Sequence, residues 1–237
     1  MQPKTRQGER HDNSSSGPRS LTTGSSDLFV VAVAASVGNL DACRQLVQEP
    51  SLRGLTFILV EPLDSIGVRI TPQLLGAHPA INITEVTDQT PLQRGHFYIA
   101  PPGCTLSVEE GKLLVLKPLI RNSARFAFDL LLRSLAAEFG ARTACLILSG
   151  NGSHGTLGLR AIKESGGLVV AQDPTQVVAS EMSRTAIATG FVDLVLPAED
   201  IPKMLLRYLA ATSSGRAQDL ATSHSAPKWL DPVLDSL

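Results

Sequence analysis

The sequence predicts an α/β domain: a doubly wound, mainly parallel sheet flanked by helices, with an antiparallel β excursion near residues 95–116. Three observations predict it. Short β-branched runs alternate with stretches of helical apolar spacing. Two of those runs end in a glycine-containing turn that opens directly into a helix. One stretch, Gly95 to Leu116, breaks the alternation, because its apolar runs are interrupted by Pro101-Pro102-Gly103 and Glu109-Glu110-Gly111 in the manner of hairpins.

In chain order, the first strand is Leu28 to Ala34, followed by an amphipathic helix with apolar residues at Leu40, Cys43, Leu46 and Val47. Thr56 to Val60 is the second strand, and the β excursion follows. Ala124 to Phe139 has helical period. Strands at Thr143 to Leu148, Leu168 to Ala171 and Val192 to Leu196 then alternate with helices at Thr156 to Ser165 and Gln176 to Thr189. Residues 1–27 contain two hydrophobic residues, Met1 and Leu21, too few to offset the entropy of ordering, so they are read as a disordered arm. Residues 28–210 form the folded domain. Residues 211–237 form a flexible tail whose short apolar end carries Trp229.

With 237 residues, 43% of them hydrophobic and 18% charged, the chain can bury a sizeable core, which excludes a fibrous or wholly disordered protein. A net charge of −1 and one Trp, two Tyr and seven Phe supply neither a basic field nor a stacking platform, so no nucleic-acid partner is expected. Three cysteines, Cys43, Cys104 and Cys145, leave one unpaired in any disulfide scheme and suit a reducing cytoplasm. The N-terminus lacks a signal-peptide core. The longest apolar stretch, Phe29 to Ala35, is far short of the roughly 18 residues of a membrane span. A cytoplasmic protein with no membrane insertion is expected.

Two loops can carry chemistry. The first strand ends in Ala34-Ala35-Ser36-Val37-Gly38-Asn39 and runs at once into a helix, close to the spacing of a nucleophile elbow with Ala34 at the first glycine position. Such a turn exposes the serine oxygen and aims helix amides at an oxyanion. The same residues serve equally as ordinary turn and cap residues. The second loop, Ser149-Gly150-Asn151-Gly152-Ser153-His154-Gly155, allows close backbone approach to a ligand. It is not a P-loop, and its G-x-G-x-x-G spacing lacks the acidic residue of a dinucleotide site. The five histidines, His11, His78, His96, His154 and His224, never fall at metal-ligand spacing with each other or with cysteine. Neither a metal nor a cofactor is expected.

On these residues the sequence resembles the CheB-type protein-glutamate methylesterases of bacterial chemotaxis, most closely the versions fused to CheR-type methyltransferases. The resemblance runs from about Phe29 to Met204. It rests on VAVAASVGNLDACRQL, the segment Gln93 to Pro102, FDLLLRSLA, LILSGNGSHGTLGLRAIKESGG, VVAQDP and the run Met182 to Gly190. It implies a domain whose family hydrolyses glutamyl methyl esters on chemoreceptors with a Ser-His-Asp triad. Transferred to this chain, the nucleophile position is Ser36. The family's histidine, in a Val-Gln-His motif, falls on Pro62 within Val60-Glu61-Pro62, and its aspartate falls on His154. The threonine after the serine is Val37, and the second elbow glycine is Asn39. Substrate-binding positions carried over with the motifs are Val37, Gly38, Asn151, Gly152, Met182 and Arg184.

A serine without a base to take its proton is a poor nucleophile, and proline has no titratable group. The expectation is therefore a catalytically degenerate methylesterase-like domain that acts by binding chemoreceptor cytoplasmic segments or chemotaxis signalling proteins. Arg184 would help hold an acidic segment. Two alternatives stay open: an active Ser36–His154 dyad with Glu61 as orienting carboxylate, and a docking protein working through Trp229, Leu230, Val233 and Leu234. With 27 low-complexity residues before the first strand, no receiver domain is expected to gate the chain in cis.

Overall fold

In the computed structural model the described residues are 28–61, 70–76, 81–116, 127–148, 150, 156–177 and 180–214. The expectations for the N-terminal arm, for the tail beyond residue 214, and for Pro62, Asn151, Gly152 and His154 lie outside them. In chain order the elements are β1 (Val30–Ala34), α1 (Leu40–Gln48), β2 (Thr56–Val60), α2 (Pro72–Leu75), β3 (Asn82–Glu85), β4 (Thr90–Pro91), β5 (His96–Ile99), β6 (Thr105–Glu109) and β7 (Lys112–Leu116). They continue with α3 (Ala127–Phe139), β8 (Thr143–Ile147), α4 (Thr156–Glu164), β9 (Leu168–Gln172), α5 (Glu181–Ala188), β10 (Leu194–Leu196) and α6 (Ile201–Ser213).

Seven strands form one sheet in the order β10-β9-β8-β1-β2-β5-β3, and every neighbouring pair is parallel. The central strand, β1, is buried on both faces. Val31, Val33 and Ala35 join a core with Cys43, Leu46, Val47, Leu205 and Tyr208. Val30, Ala32 and Ala34 join the opposite core with Leu131, Leu132, Leu135 and Ile162. A parallel strand covered by helices on both sides has no polar face, which is why residues 29–35 read as an unbroken apolar run. From β1 the chain fills the sheet outward through β2, then returns to the other side of β1 at β8. The strand order thus reverses between β1 and β8, and the crevice at their carboxyl ends is the place where such sheets bind ligands.

The antiparallel excursion is present, but it is built from β6 and β7 with β4 at the edge, and β5 is not part of it. β5 belongs to the main sheet, paired with β2 on one side and β3 on the other. Its Phe97 ring stacks on Phe57 with centroids 5.5 Å apart. The antiparallel part is a three-stranded sheet in the order β4-β7-β6. Its β6–β7 hairpin turns on Glu110 and Gly111, with φ of 50° and 72°, the paired positive φ of a type I′ turn. The α3 side chains hold this sheet: Val108 N–H donates to Ser134 Oγ at 2.9 Å, and Gly111 N–H donates to Glu138 Oε1 at 2.5 Å.

Three further expectations need adjustment. β1 starts at Val30 and β10 at Leu194, each two residues inside the expected strand. The helix expected over 176–189 is divided into a 3₁₀ turn at Pro174–Gln176 and α5. The Asp173 carboxylate accepts from Thr175 N–H at 2.8 Å and closes that turn, and Val177 is extended, which ends it. Finally, α6 was not anticipated as an element; its Leu205 and Tyr208 cover the sheet beside α1.

Candidate active site

The carboxyl end of β1 feeds the site. Leu148 N–H donates to Ala34 O at 2.9 Å and Ala35 N–H donates to Val60 O at 3.3 Å, so sheet pairing holds both residues ahead of Ser36. The carbonyl of Ser36 accepts from Asn39 N–H at 2.9 Å, closing a 3₁₀ turn over Val37–Asn39 that leads into α1. This is the strand, turn and helix sequence expected from the residues. The turn is nevertheless relaxed: the non-glycine residues with positive φ among those described are Gln89 and Glu110, not Ser36.

Two glycines flank the Ser36 hydroxyl. A β-carbon on Gly38 would stand 3.7 Å from Ser36 Oγ, and one on Gly150 would stand 3.4 Å from it and 3.2 Å from Met182 Cε. Gly150 is buried, and its carbonyl accepts from Met182 N–H at 3.0 Å, which joins the start of α5 to the chain three residues beyond β8. Met182 is buried at 2% exposure. The structure thus brings together Ser36, Gly38 and Met182 of the expected set, and adds Gly150.

Arg184 is exposed on α5, where its Nε donates to Ser180 Oγ at 3.0 Å. Its neighbour Ser183 is buried and donates to Leu148 O at 3.5 Å, so the side of α5 turned to the sheet carries Met182 and Ser183. Glu61 leaves the end of β2 half-buried, and its Oε1 accepts from Ile70 N–H at 2.9 Å. The carboxylate proposed to orient a histidine is thus engaged with the backbone of Ile70. Its charge reaches α1: burial first, and Glu61 second, push the Cys43 thiol up to about 12.

Sequence reasoning missed one pairing. Asn39 is buried at 9% exposure and Gln172 at 3%; Asn39 Nδ2 donates to Gln172 Oε1. Both positions were visible, Asn39 as a departure from glycine and Gln172 inside VVAQDP, but nothing in a linear sequence shows that residues 133 apart meet. Among the described residues no group of three or more His, Cys, Asp or Glu side chains is placed to hold a metal ion, and no helix is long and apolar enough to cross a membrane.

The chain matches the CheB methylesterase family over residues 31–205. It is 32% identical over 208 residues to a protein-glutamate methylesterase/protein-glutamine glutaminase of Photorhabdus laumondii, covering 86% of this chain and 58% of that protein. It is 38% identical over 136 residues to an uncharacterized 104.1 kDa protein of Rhodobacter capsulatus, covering 57% of this chain and 14% of that one. The chain therefore spans little more than half of the first relative and a small part of the second. Among solved structures it superposes on the CheB methylesterase catalytic domain of Thermotoga maritima with a TM-score of 0.65 and 27% identity, covering 76% of this chain and 98% of that one. The matched region contains the parallel sheet from Val31 onward and the Ser36 turn, and on that ground the chain belongs to the CheB methylesterase family.

Proposed function

We propose that this domain keeps the ligand crevice of the CheB methylesterases and binds glutamyl segments of chemoreceptors without hydrolysing their methyl esters. One observation carries the reading. The Ser36 hydroxyl stands close to both Gly38 and Gly150 at the end of β1; the resemblance to the family puts Pro62 at its general-base position and His154 at its aspartate position. Acylation needs a group that removes the serine proton as the oxygen attacks. Losing one member of a Ser-His-Asp triad leaves about 10³ to 10⁴-fold catalysis over water, supplied by binding and oxyanion donors. Here two members differ. The crevice, in contrast, depends on backbone approach and glycine positions, which support binding independently of proton transfer.

The test is calorimetric titration of the chain with receptor peptides that differ at one site, carrying glutamate, its methyl ester or glutamine. Binding of at least one peptide is expected, weakened about tenfold or more by Gly150→Val, which fills the space beside Ser36. Arg184→Ala is expected to weaken the glutamate peptide more than the neutral ones. No binding of any of the three at high micromolar concentration overturns the proposal.

A further inference from the structure

We infer that Asn39 and Gln172 form an amide bridge that positions the Ser36 turn, making both of them positioning residues of this site. Asparagine at a helix N-cap ordinarily uses its side-chain oxygen to accept from a first-turn N–H. Asn39 occupies the N-cap of α1 and makes no such bond. Its side chain instead donates to Gln172 Oε1.

The bridge joins two parts of the fold. Gln172 is the last residue of β9 and lies in register with Leu196 of β10, and the next residue continues the ladder, Asp173 N–H donating to Leu196 O at 2.8 Å. That end of the sheet is a fixed base. Asn39 carries the backbone N–H that donates to the Ser36 carbonyl at 2.9 Å. A continuous path therefore runs from β10 and β9 through two side-chain amides to the carbonyl of Ser36. Since β8 lies between β9 and β1, the bridge spans the end of β8, where the chain goes on to Gly150.

Both amides are buried, and a buried polar group that loses its partner retains the full desolvation penalty. The two side chains are held to each other, so the turn moves only as far as β9 allows. The inference rests on Ser36 as the centre of the site, but its test does not depend on ligand or turnover.

The experiment is residue-resolved amide hydrogen exchange on the full chain, reading the Asn39 N–H that bonds Ser36. Gln172→Met removes the acceptor at similar length; Gln172→Glu keeps an acceptor. Exchange at Asn39 is expected to accelerate about tenfold or more in Gln172→Met, with Val31 and Val33 in β1 within about twofold of wild type. Gln172→Glu is expected to restore Asn39 protection to within about threefold. If Gln172→Met fails to fold, Asn39→Asp removes the donor at constant size, and a shift of the Ser36 carbonyl carbon resonance in that variant takes its place. Unchanged exchange at Asn39, equal acceleration at Val31 and Val33, no rescue by glutamate, or an unmoved Ser36 resonance overturns the inference. A site that binds no peptide but passes this test would refute the proposed function and leave the bridge standing.

Discussion

The Ser36 hydroxyl and Gly150 are so placed that a β-carbon on the glycine would stand 3.4 Å from Ser36 Oγ. A β-carbon there would already touch the hydroxyl, so a larger side chain would crowd it. The tighter contact would be with Met182 Cε at 3.2 Å, the free end of a flexible side chain, which yields more readily than backbone.

Gly150→Ala is therefore expected to cost about 1 kcal/mol of stability, within the usual range for overpacking. Its effect on peptide binding should be larger than its effect on folding. Urea unfolding and calorimetric titration of the same variant measure the two.

Gly158→Ala should cost more, about 2–3 kcal/mol. A β-carbon there would lie 2.7 Å from Leu132 Cβ and 3.0 Å from the Asp129 backbone, where α4 meets α3. Neither atom can move without displacing a helix. The urea midpoint should fall clearly further than for Gly150→Ala.

Asp129 is buried at 5% exposure, and its Oδ1 accepts from Gly158 N–H at 2.6 Å. That N–H is one of the first-turn donors that α4 cannot satisfy internally. Asp129→Ala strands it, at a cost of about 1–3 kcal/mol. Asp129→Asn, which keeps an acceptor oxygen, should recover part of the loss in thermal melts.

How much of this was legible in the sequence depended on range. The β1 run and the turn at Ser36 are local, and the apolar run and the Ser-Val-Gly-Asn spacing marked both. The type I′ turn at Glu110-Gly111 was equally local. β3, β4 and α6 were missed because partners define them: β3 has exposed residues at both ends and is a strand through its pairing with β5. β5 groups with the hairpins in the sequence because its flanking prolines and glycines look alike whether the run pairs parallel or antiparallel. The contacts among Ser36, Gly150 and Met182 and the Asn39–Gln172 bridge join segments that only the folded sheet brings together.

Thiol chemistry should separate the three cysteines. Burial raises Cys145 well above its ordinary value, with Asp129 adding to it, and Cys43 is pushed up to about 12, whereas Cys104 is half-buried in the turn before β6. Since the thiolate is the reactive form, alkylation of the native protein at pH 8 should modify Cys104 alone. Denaturant should release the other two. Peptide mapping after pulse labelling reads this directly.

The same burial makes the fold alkali-sensitive. Cys43 is raised from 9.0 to about 12 and Tyr98 from 10.0 to about 12, each mainly by burial. For a group whose folded value lies above its unfolded one, the stabilisation is complete below the unfolded value and lost as pH climbs toward the folded one. Stability from these groups should be level below pH 9 and fall between pH 9 and 12. Urea midpoints across that range test the sign; a rise would contradict it.

Methanol release from a methylated chemoreceptor fragment separates a crevice that only binds from one that hydrolyses. Wild type, Ser36→Ala and the double variant Pro62→His, His154→Asp are compared. Silence is expected from wild type and from Ser36→Ala, with release restored in the double variant. Methanol release by wild type that disappears in Ser36→Ala would contradict a crevice that only binds and assign activity to a Ser36–His154 dyad.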